Sequence, residues 1–293
     1  MTTLAPKAYL NGRFVPQAEA HVPITDRGLL FGDSVYEVIP AYGGRLFRAS
    51  QHIARLDRSL AAIRMTNPLD HSEWFAVLEE LVRQLDGADQ YVYVQVTRGA
   101  YAGRSHVIPA EVSPNVFAFA SLLPQPDPRV AAGGVSAVTL DDIRWMRCDI
   151  KATTLLANVL GHSQARDEGA DEAIFVRDGK VIEGTASNLF IVNSGLLITP
   201  PNSQWLLPGV TRDLVLELAQ QAGLPYAEAS ISMLDLDFAE EVWLTSSTRE
   251  VMPVTQLNGR AVGGGRPGPY WQQMRELYGA CKEMLRAGGE CRT

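Results

Sequence analysis

Of the 26 lysine and arginine residues in this chain, only Lys7, Lys151, Lys180 and Lys282 are lysine. Lys151 stands at the mouth of the apolar run ATTLLANVL, in the stretch DIRWMRCDIKATTLLANVL. Arginine keeps its proton in a protein, whereas lysine can be tuned and can condense with a carbonyl to form a Schiff base. A lysine beside a hydrophobic segment, in a chain that otherwise uses arginine, is a candidate for covalent or proton-transfer chemistry. The plainer alternative is a solvated surface lysine, and the remaining motifs bear on the choice.

Several of them suit an anion. In LLPGVTRDLV, Gly209 lets the backbone turn and Thr211 opens a helix, so that free N–H groups and a hydroxyl meet at a helix N-terminus. Taken alone, such a start is most often a simple cap. LTSST places Ser246 and Ser247 at the end of an apolar strand, which in isolation is an ordinary turn. Arg55 lies on an amphipathic helix, where a solvated arginine is the plain reading. Glu183 closes the strand KVIE before GTASN, and if buried it needs a cationic partner, because an unpaired buried carboxylate is expensive. A protonated heterocycle nitrogen would serve. In VTRGAYAGRSHVIP, Arg104 and His106 are two apart in a glycine-rich loop, so an extended backbone would point both into one cavity as a carboxylate clamp. A phosphate, a protonatable ring nitrogen and an aldehyde for lysine together describe pyridoxal 5′-phosphate, an electron sink.

The elements that must position these groups follow from hydrophobic period and turn signals. AYLNGRFV and AYGGRLF predict hairpins at Asn11-Gly12 and Gly43-Gly44. HIARLDRSLAAIRM places Ile53, Leu56, Leu60 and Ile63 on one helical face, and WFAVLEELVRQL behaves likewise. YVYVQVT is apolar on both faces, the pattern of a strand covered on each side. SLLPQPDPRVAAGG, with Pro124, Pro126 and Pro128, is expected to be a stiff connector. The expected domains are therefore 1–121, a linker at 122–134, and 135–293. Beyond it come a strand VSAVTL, a helix from after Lys151 to about Arg166, a meander turning at Asp178-Gly179 and Ser194-Gly195, a helix capped by Thr211 and stopped by Gly223, and the strand EVWLTSS. Strands and helices without regular βαβ alternation predict an α+β protein of two domains.

Bulk properties narrow the classes. The length suits two domains, and 46% hydrophobic with 20% charged residues is ordinary for a globular protein. A net charge of −7 argues against nucleic-acid and anionic-membrane partners. No apolar run is long enough to span a bilayer, and MTTLAPKAYLNG lacks the pattern of an export signal, so a cytoplasmic location is expected. Cys148, Cys281 and Cys291 indicate neither a disulfide framework nor a metal site.

The ordered segments TDRGLLFGDSVYEV, HIARL, VTRGAYAGRSH, DIRWMRCDIK, EGTASNLF, LLPGVTRDLV and LTSSTREVMPV resemble those of the class IV (fold-type IV) pyridoxal-phosphate aminotransferases. That group holds branched-chain aminotransferases, D-amino acid transaminases and aminodeoxychorismate lyases, and the likeness is greatest to the D-amino acid transaminases. It implies a smaller N-terminal and a larger C-terminal domain, a homodimer, and transfer of an amino group from a D-amino acid such as D-alanine to 2-oxoglutarate. By motif, Lys151 matches the lysine that binds the cofactor and shuttles the proton, and Glu183 the carboxylate that keeps the ring nitrogen protonated. Arg55, Val210, Thr211, Ser246 and Ser247 match the phosphate cup, and Leu207 an apolar residue against the ring. Tyr36, Arg104 and His106 match the trap for the substrate carboxylate. Ala186, where the D-specific pattern often has serine, and Pro40, within VYEVIP, depart from the pattern. A branched-chain enzyme is expected to show EN before LF or IF, and no Arg-x-His clamp. A lyase has the arginine-containing glycine loop without the histidine.

Overall fold

The computed structural model describes residues 7–85, 87–124, 127–289 and 291. The chain divides into two compact units, Met1–Leu123 with Ile150–Thr154, and Pro124–Asp149 with Leu155–Thr293.

The first unit is a six-stranded sheet with helices packed on it. Its strands are β1 (Lys7–Leu10), β2 (Arg13–Pro16), β3 (Ser34–Tyr42), β4 (Arg45–Leu46), β5 (Gln90–Thr97) and β6 (Asn115–Leu122), in the spatial order β2-β1-β6-β5-β3-β4. Both expected hairpins form: Asn11 and Gly12 take φ of 47° and 89°, and Gly43 and Gly44 take 57° and 75°, the left-handed pair that two-residue turns require. The helices are α1 (Arg27–Phe31), α2 (Ala49–Ala62) and α3 (His71–Arg83). Asp70 and Glu73 close a capping box at the start of α3. Ile53, Leu56 and Leu60 of α2 and Trp74, Leu78 and Leu81 of α3 are buried against Ile39, Val92 and Val94 of the sheet. β5 departs from the two-sided expectation: Val92, Val94 and Val96 are buried, while Tyr91, Tyr93 and Gln95 are half-buried on the other face.

Residues Ile150–Thr154 group with this first unit, although sequence alone placed them in the C-terminal domain. The reason is local packing. Ile150 and Ala152 join the first core, Ala152 bridges Val35, and the Lys151 carbonyl accepts from the Tyr36 N–H at 3.0 Å. Buried apolar neighbours on each side fix the register that presents Lys151 beside β3.

The second unit is built on a ten-stranded sheet. Its elements in chain order are α4 (Pro128–Gly133), β7 (Val135–Asp141), α5 (Leu156–Asp167), β8 (Glu172–Arg177), β9 (Lys180–Gly184), β10 (Asn188–Asn193), β11 (Leu196–Thr199), α6 (Val210–Gln221), β12 (Tyr226–Glu228), β13 (Ile231–Ser232), α7 (Met233–Asp237), β14 (Glu241–Ser246), β15 (Glu250–Leu257), β16 (Arg260–Ala261) and α8 (Pro269–Arg286). The strand order is β12-β11-β10-β14-β15-β7-β8-β9-β13, with β16 paired to β15. Turns fall at Asp178-Gly179 and Ser194-Gly195 as expected, but the meander is interrupted, since β9 pairs with β8 and β13 while β10 pairs with β11 and β14. The proline-rich segment is not all connector: Asp127 caps α4 and Pro128 occupies its first turn, where a missing N–H costs nothing. Pro126 lies outside the described residues.

Two further differences appear here. Thr211 is the second residue of α6, and Gly209 is its cap. Cys281 and Cys291 are joined as a disulfide, their Cα atoms 5.1 Å apart, where the sequence indicated none. After α8 the chain turns back through Gly288, at φ 89°, so residues ten apart meet.

Candidate active site

In the first unit, the Lys151 ammonium lies 4.1 Å from the centroid of the Tyr36 ring, and the Lys151 N–H donates to Ser59 Oγ at 3.3 Å. Next to Tyr36 on β3, Glu37 points to the opposite face of the strand and is fully buried. Its Oε1 accepts from Arg55 Nε at 2.7 Å, its Oε2 accepts from Arg55 Nη2 at 2.8 Å, and His52 Nδ1 is 2.7 Å from Oε2. Glu37, His52 and Arg55 therefore form one buried group. Burial alone would raise Glu37, but the Arg55 charge and its hydrogen bonds, with His52, hold the carboxyl far below the usual range. Burial pushes the His52 imidazole down, helped by the charges of Arg55 and Lys151 and opposed by Glu37.

Arg104 and His106 are both exposed, and both meet Phe31 at the end of α1: the Arg104 guanidinium is 5.1 Å above the ring and the His106 ring is edge-on at 5.2 Å. Arg27 fixes this loop from beneath, donating to the Ser105 carbonyl at 2.7 Å and to Asp33 Oδ2 at 2.9 Å. Arg98 also donates to Asp33, at 2.7 Å. Against the upward push of burial, the two guanidiniums hold the Asp33 carboxyl below its ordinary value.

In the second unit, Glu183 lies at the end of β9 and is 5% exposed. Its Oε1 accepts from Arg144 Nη1 at 2.5 Å, and its Oε2 accepts from the Leu207 N–H at 3.0 Å and from Asn188 Nδ2 at 3.2 Å. Asp142 holds Arg144 in turn, accepting from Nε and Nη2 at 2.9 Å each, while Phe175 lies under the guanidinium at 4.6 Å. Burial raises the Glu183 carboxyl, and Arg144 and the Leu207 N–H oppose this without cancelling it. Asn188 also donates to the Leu207 carbonyl at 2.8 Å, and a Cβ on Gly209 would come 1.9 Å from Asn188 Oδ1. Only glycine lets the start of α6 approach so closely. That helix begins with buried Val210 and Thr211 and has no side-chain cap. Asn188 pairs with Thr245 across β10 and β14, next to Ser246 and Ser247 at the strand end. Thus one asparagine ties Glu183 to Leu207 and lies against Gly209, the residue before Val210 and Thr211.

Sequence reasoning assigned no role to Glu37, His52, Arg144 or Asn188. Arg144 and Asn188 lie inside the motifs that carry the resemblance, and the spacing Asp142-x-Arg144 is the signal for a preformed ion pair. Glu37 in TDRGLLFGDSVYEV and His52 in HIARL also lie inside those motifs, but they look like ordinary strand and helix positions, and nothing in their spacing signals that they meet.

The chain belongs to the amino-transferase class IV family, whose match covers residues 34–257. D-alanine aminotransferase of Bacillus licheniformis is 43% identical over 263 residues, covering 90% of this chain and 92% of that one. Among solved structures, the branched-chain amino acid aminotransferase from Escherichia coli is similar with a TM-score of 0.86 at 27% identity, covering 98% of this chain and 96% of that one. A hypothetical aminotransferase from Mycobacterium tuberculosis, in its PLP-bound form, is similar with a TM-score of 0.82 at 25% identity, covering 94% and 98%. The protein is a pyridoxal-phosphate-dependent aminotransferase with the two-domain α+β fold of type IV.

The residues present fit that cofactor. Glu183 is a buried carboxylate that burial holds above its ordinary value even with Arg144 beside it, so a further cationic N–H is favourable there. The uncapped start of α6 suits a phosphate. The hydroxyls of Ser187 and Thr245, beside Asn188 and Ser246, are buried without a hydrogen-bond partner among the described residues.

Proposed function

We propose that the protein transfers the amino group of a D-amino acid such as D-alanine to 2-oxoglutarate, yielding a 2-oxo acid and D-glutamate. The observation that carries this reading is the pair Arg104 and His106 gathered on Phe31, in a chain similar to a D-alanine aminotransferase over nine-tenths of its length. A fold shared with branched-chain enzymes does not decide the substrate, which is set by the site.

Bound pyridoxal phosphate supplies an electron sink that makes the Cα–H bond of an amino acid acidic. Lys151 would hold the cofactor until the substrate amine displaces it and, once free, would carry the proton from the substrate Cα to the cofactor carbon that receives the amino group. Tyr36 orients that amine through its ring face. Glu183, held by Arg144, Asn188 and the Leu207 N–H, meets the ring nitrogen, and Leu207 packs at the ring. Arg55, Val210, Thr211, Ser246 and Ser247 meet the phosphate. Arg104 and His106, with Tyr36, grip the substrate carboxylate, and fixing that group decides which face of Cα is presented to Lys151. We infer a cytoplasmic homodimer, to be checked by sedimentation of the active enzyme.

Two experiments test the reading. Borohydride reduction followed by peptide mapping should fix the cofactor in the peptide containing CDIKATT, and fixation at Lys180 would refute the assignment. A panel of D- and L-amino acids with 2-oxoglutarate should favour the D series, and preference for L-leucine would instead indicate the branched-chain reaction.

A further inference from the structure

Glu172, the first residue of β8, appears in none of the motifs, yet its carboxylate is almost wholly buried and bonded on both oxygens. Oε1 accepts from the Thr185 hydroxyl and from the Ala173 N–H at 3.0 Å, with His162 Nδ1 at 3.5 Å. Oε2 accepts from Arg249 Nη2 at 2.5 Å. Thr185 belongs to the turn that follows Glu183. Arg249 belongs to the turn that follows Ser246 and Ser247, and its N–H donates to Ser246 Oγ at 3.3 Å. One carboxylate thus fastens the turn after the ring-nitrogen partner to the turn that carries the phosphate hydroxyls.

We propose that Glu172 is a positioning residue for the cofactor, holding the 184–187 and 246–249 turns in the spacing that the ring and the phosphate together require. The inference rests on the reading that Ser246 and Ser247 meet the phosphate. Its physical basis is the cost of leaving the group half-paired. A buried carboxylate bonded to a guanidinium has one strongly preferred arrangement, because moving either turn breaks a charge-assisted hydrogen bond in a low-dielectric setting. An uncharged side chain at this position would let the 246–249 turn move with Arg249, which is more than a third exposed and can go to water. The Ser246 hydroxyl would then be ordered by the phosphate alone, so that ordering would be taken from binding. Nothing at Glu172 touches the reacting atoms, and its effect should appear in affinity for the cofactor before it appears in the chemical step.

The test is titration of the apoenzyme with pyridoxal phosphate, followed by quenching of intrinsic fluorescence, in wild type, Glu172→Gln, Ser246→Ala, Ser247→Ala and the Glu172→Gln, Ser246→Ala double variant, with the melting point of each apoenzyme measured alongside. Glu172→Gln keeps the volume and an acceptor for Thr185 but removes the charge that Arg249 meets. Its dissociation constant for the cofactor should rise roughly tenfold, about one charge-assisted hydrogen bond. Ser246→Ala should raise the constant alone, and should add little in the Glu172→Gln background, because the turn it sits on is already released. A dissociation constant within twofold of wild type in Glu172→Gln, or strictly additive effects, would overturn the positioning role. A purely structural role would lower the apoenzyme melting point and leave the affinity of the folded fraction unchanged. If Ser246→Ala and Ser247→Ala each leave affinity unchanged, the phosphate-cup reading itself fails and this inference with it. Should Glu172→Gln not fold, Arg249→Gln breaks the same contact from its exposed side and is judged by the same criteria.

Discussion

Replacing Glu37 by glutamine tests whether the buried group beneath β3 holds Arg55 in place before any ligand arrives. Glutamine keeps the shape of the side chain, so the effect is electrostatic. Both carboxylate oxygens accept from Arg55, at Nε and Nη2. In glutamine one of these sites becomes an NH2 group, so whichever way the amide is turned, one guanidinium donor faces another donor across a hydrogen-bond distance. The guanidinium also loses its counter-charge in a setting where it is 3% exposed. Removing one partner of a buried ion pair costs about 3–5 kcal/mol. At roughly 2–4 °C per kcal/mol for a domain of this class, the apoenzyme should melt about 6–20 °C lower. The double variant Glu37→Leu with Arg55→Met removes both charges and should regain part of that loss, the remainder being the cost of leaving the buried His52 Nδ1 without Glu37. Scanning calorimetry on the apoenzyme gives both numbers. A fall of less than about 2 °C for Glu37→Gln, or a double variant less stable than the single one, would refute the account of Arg55 as preset by Glu37.

Arg104→Ala should lower kcat/KM for D-alanine and D-glutamate alike, by roughly ten- to a hundred-fold, because the carboxylate is common to both; unchanged D-alanine turnover in stopped-flow half-reactions would sink the clamp. His52 has its folded pKa depressed, so the unfolded chain binds the extra proton, and the stability this confers is present above about pH 6.5 and lost as pH falls below it. Urea unfolding between about pH 7 and pH 5 should therefore show a loss of up to about 1.4 kcal/mol per pH unit from this group that His52→Asn lacks, and an identical slope in both proteins would count against it. Gly209→Ala should displace Asn188 from Glu183 and Leu207, destabilising the fold by about 1–3 kcal/mol and weakening cofactor binding in a titration of the apoenzyme; wild-type affinity would show that the approach of α6 is not needed.

Hairpins, helix faces and turns were legible because they depend on local rules. Asn11-Gly12 and Asp178-Gly179 turn as their φ preferences dictate, and α2 and α3 bury the apolar faces their periodicity marks. What escaped depends on contacts distant in sequence. The break between β9 and β10 is set by pairing of β10 with β14, far along the chain, which no period can report. The placement of Ile150–Thr154 with the first unit comes from backbone bonding to β3 at Ser34, Val35 and Tyr36 and from two buried side chains. In the site, the residues with unusual chemistry for their setting, Lys151 and Glu183, were visible. The groups that hold Arg55 and Glu183 in place, Glu37 and Arg144, were not, because a carboxylate on a strand or an arginine in a loop has no signature until its partner is known.

The two units share a rule in how they treat charge. Arg55 faces Glu37, Arg144 faces Asp142 and Glu183, and Arg27 and Arg98 face Asp33. Each cation is already paired with a carboxylate, and each carboxylate is bonded to a neighbouring element, so the charged groups hold fixed positions without help from a ligand. Reorganising such dipoles during a reaction is what raises barriers in water, and fixing them beforehand is what lowers them in a protein. Among the described residues, Lys151 differs from these cations in having an aromatic face but no carboxylate as the partner of its charged end. A cation over a ring is held more loosely than one in a bidentate ion pair, by about 0.5–2 kcal/mol where the pair gives several. On the proposed mechanism, the one amine that must move during the reaction is thus the one given the weaker restraint.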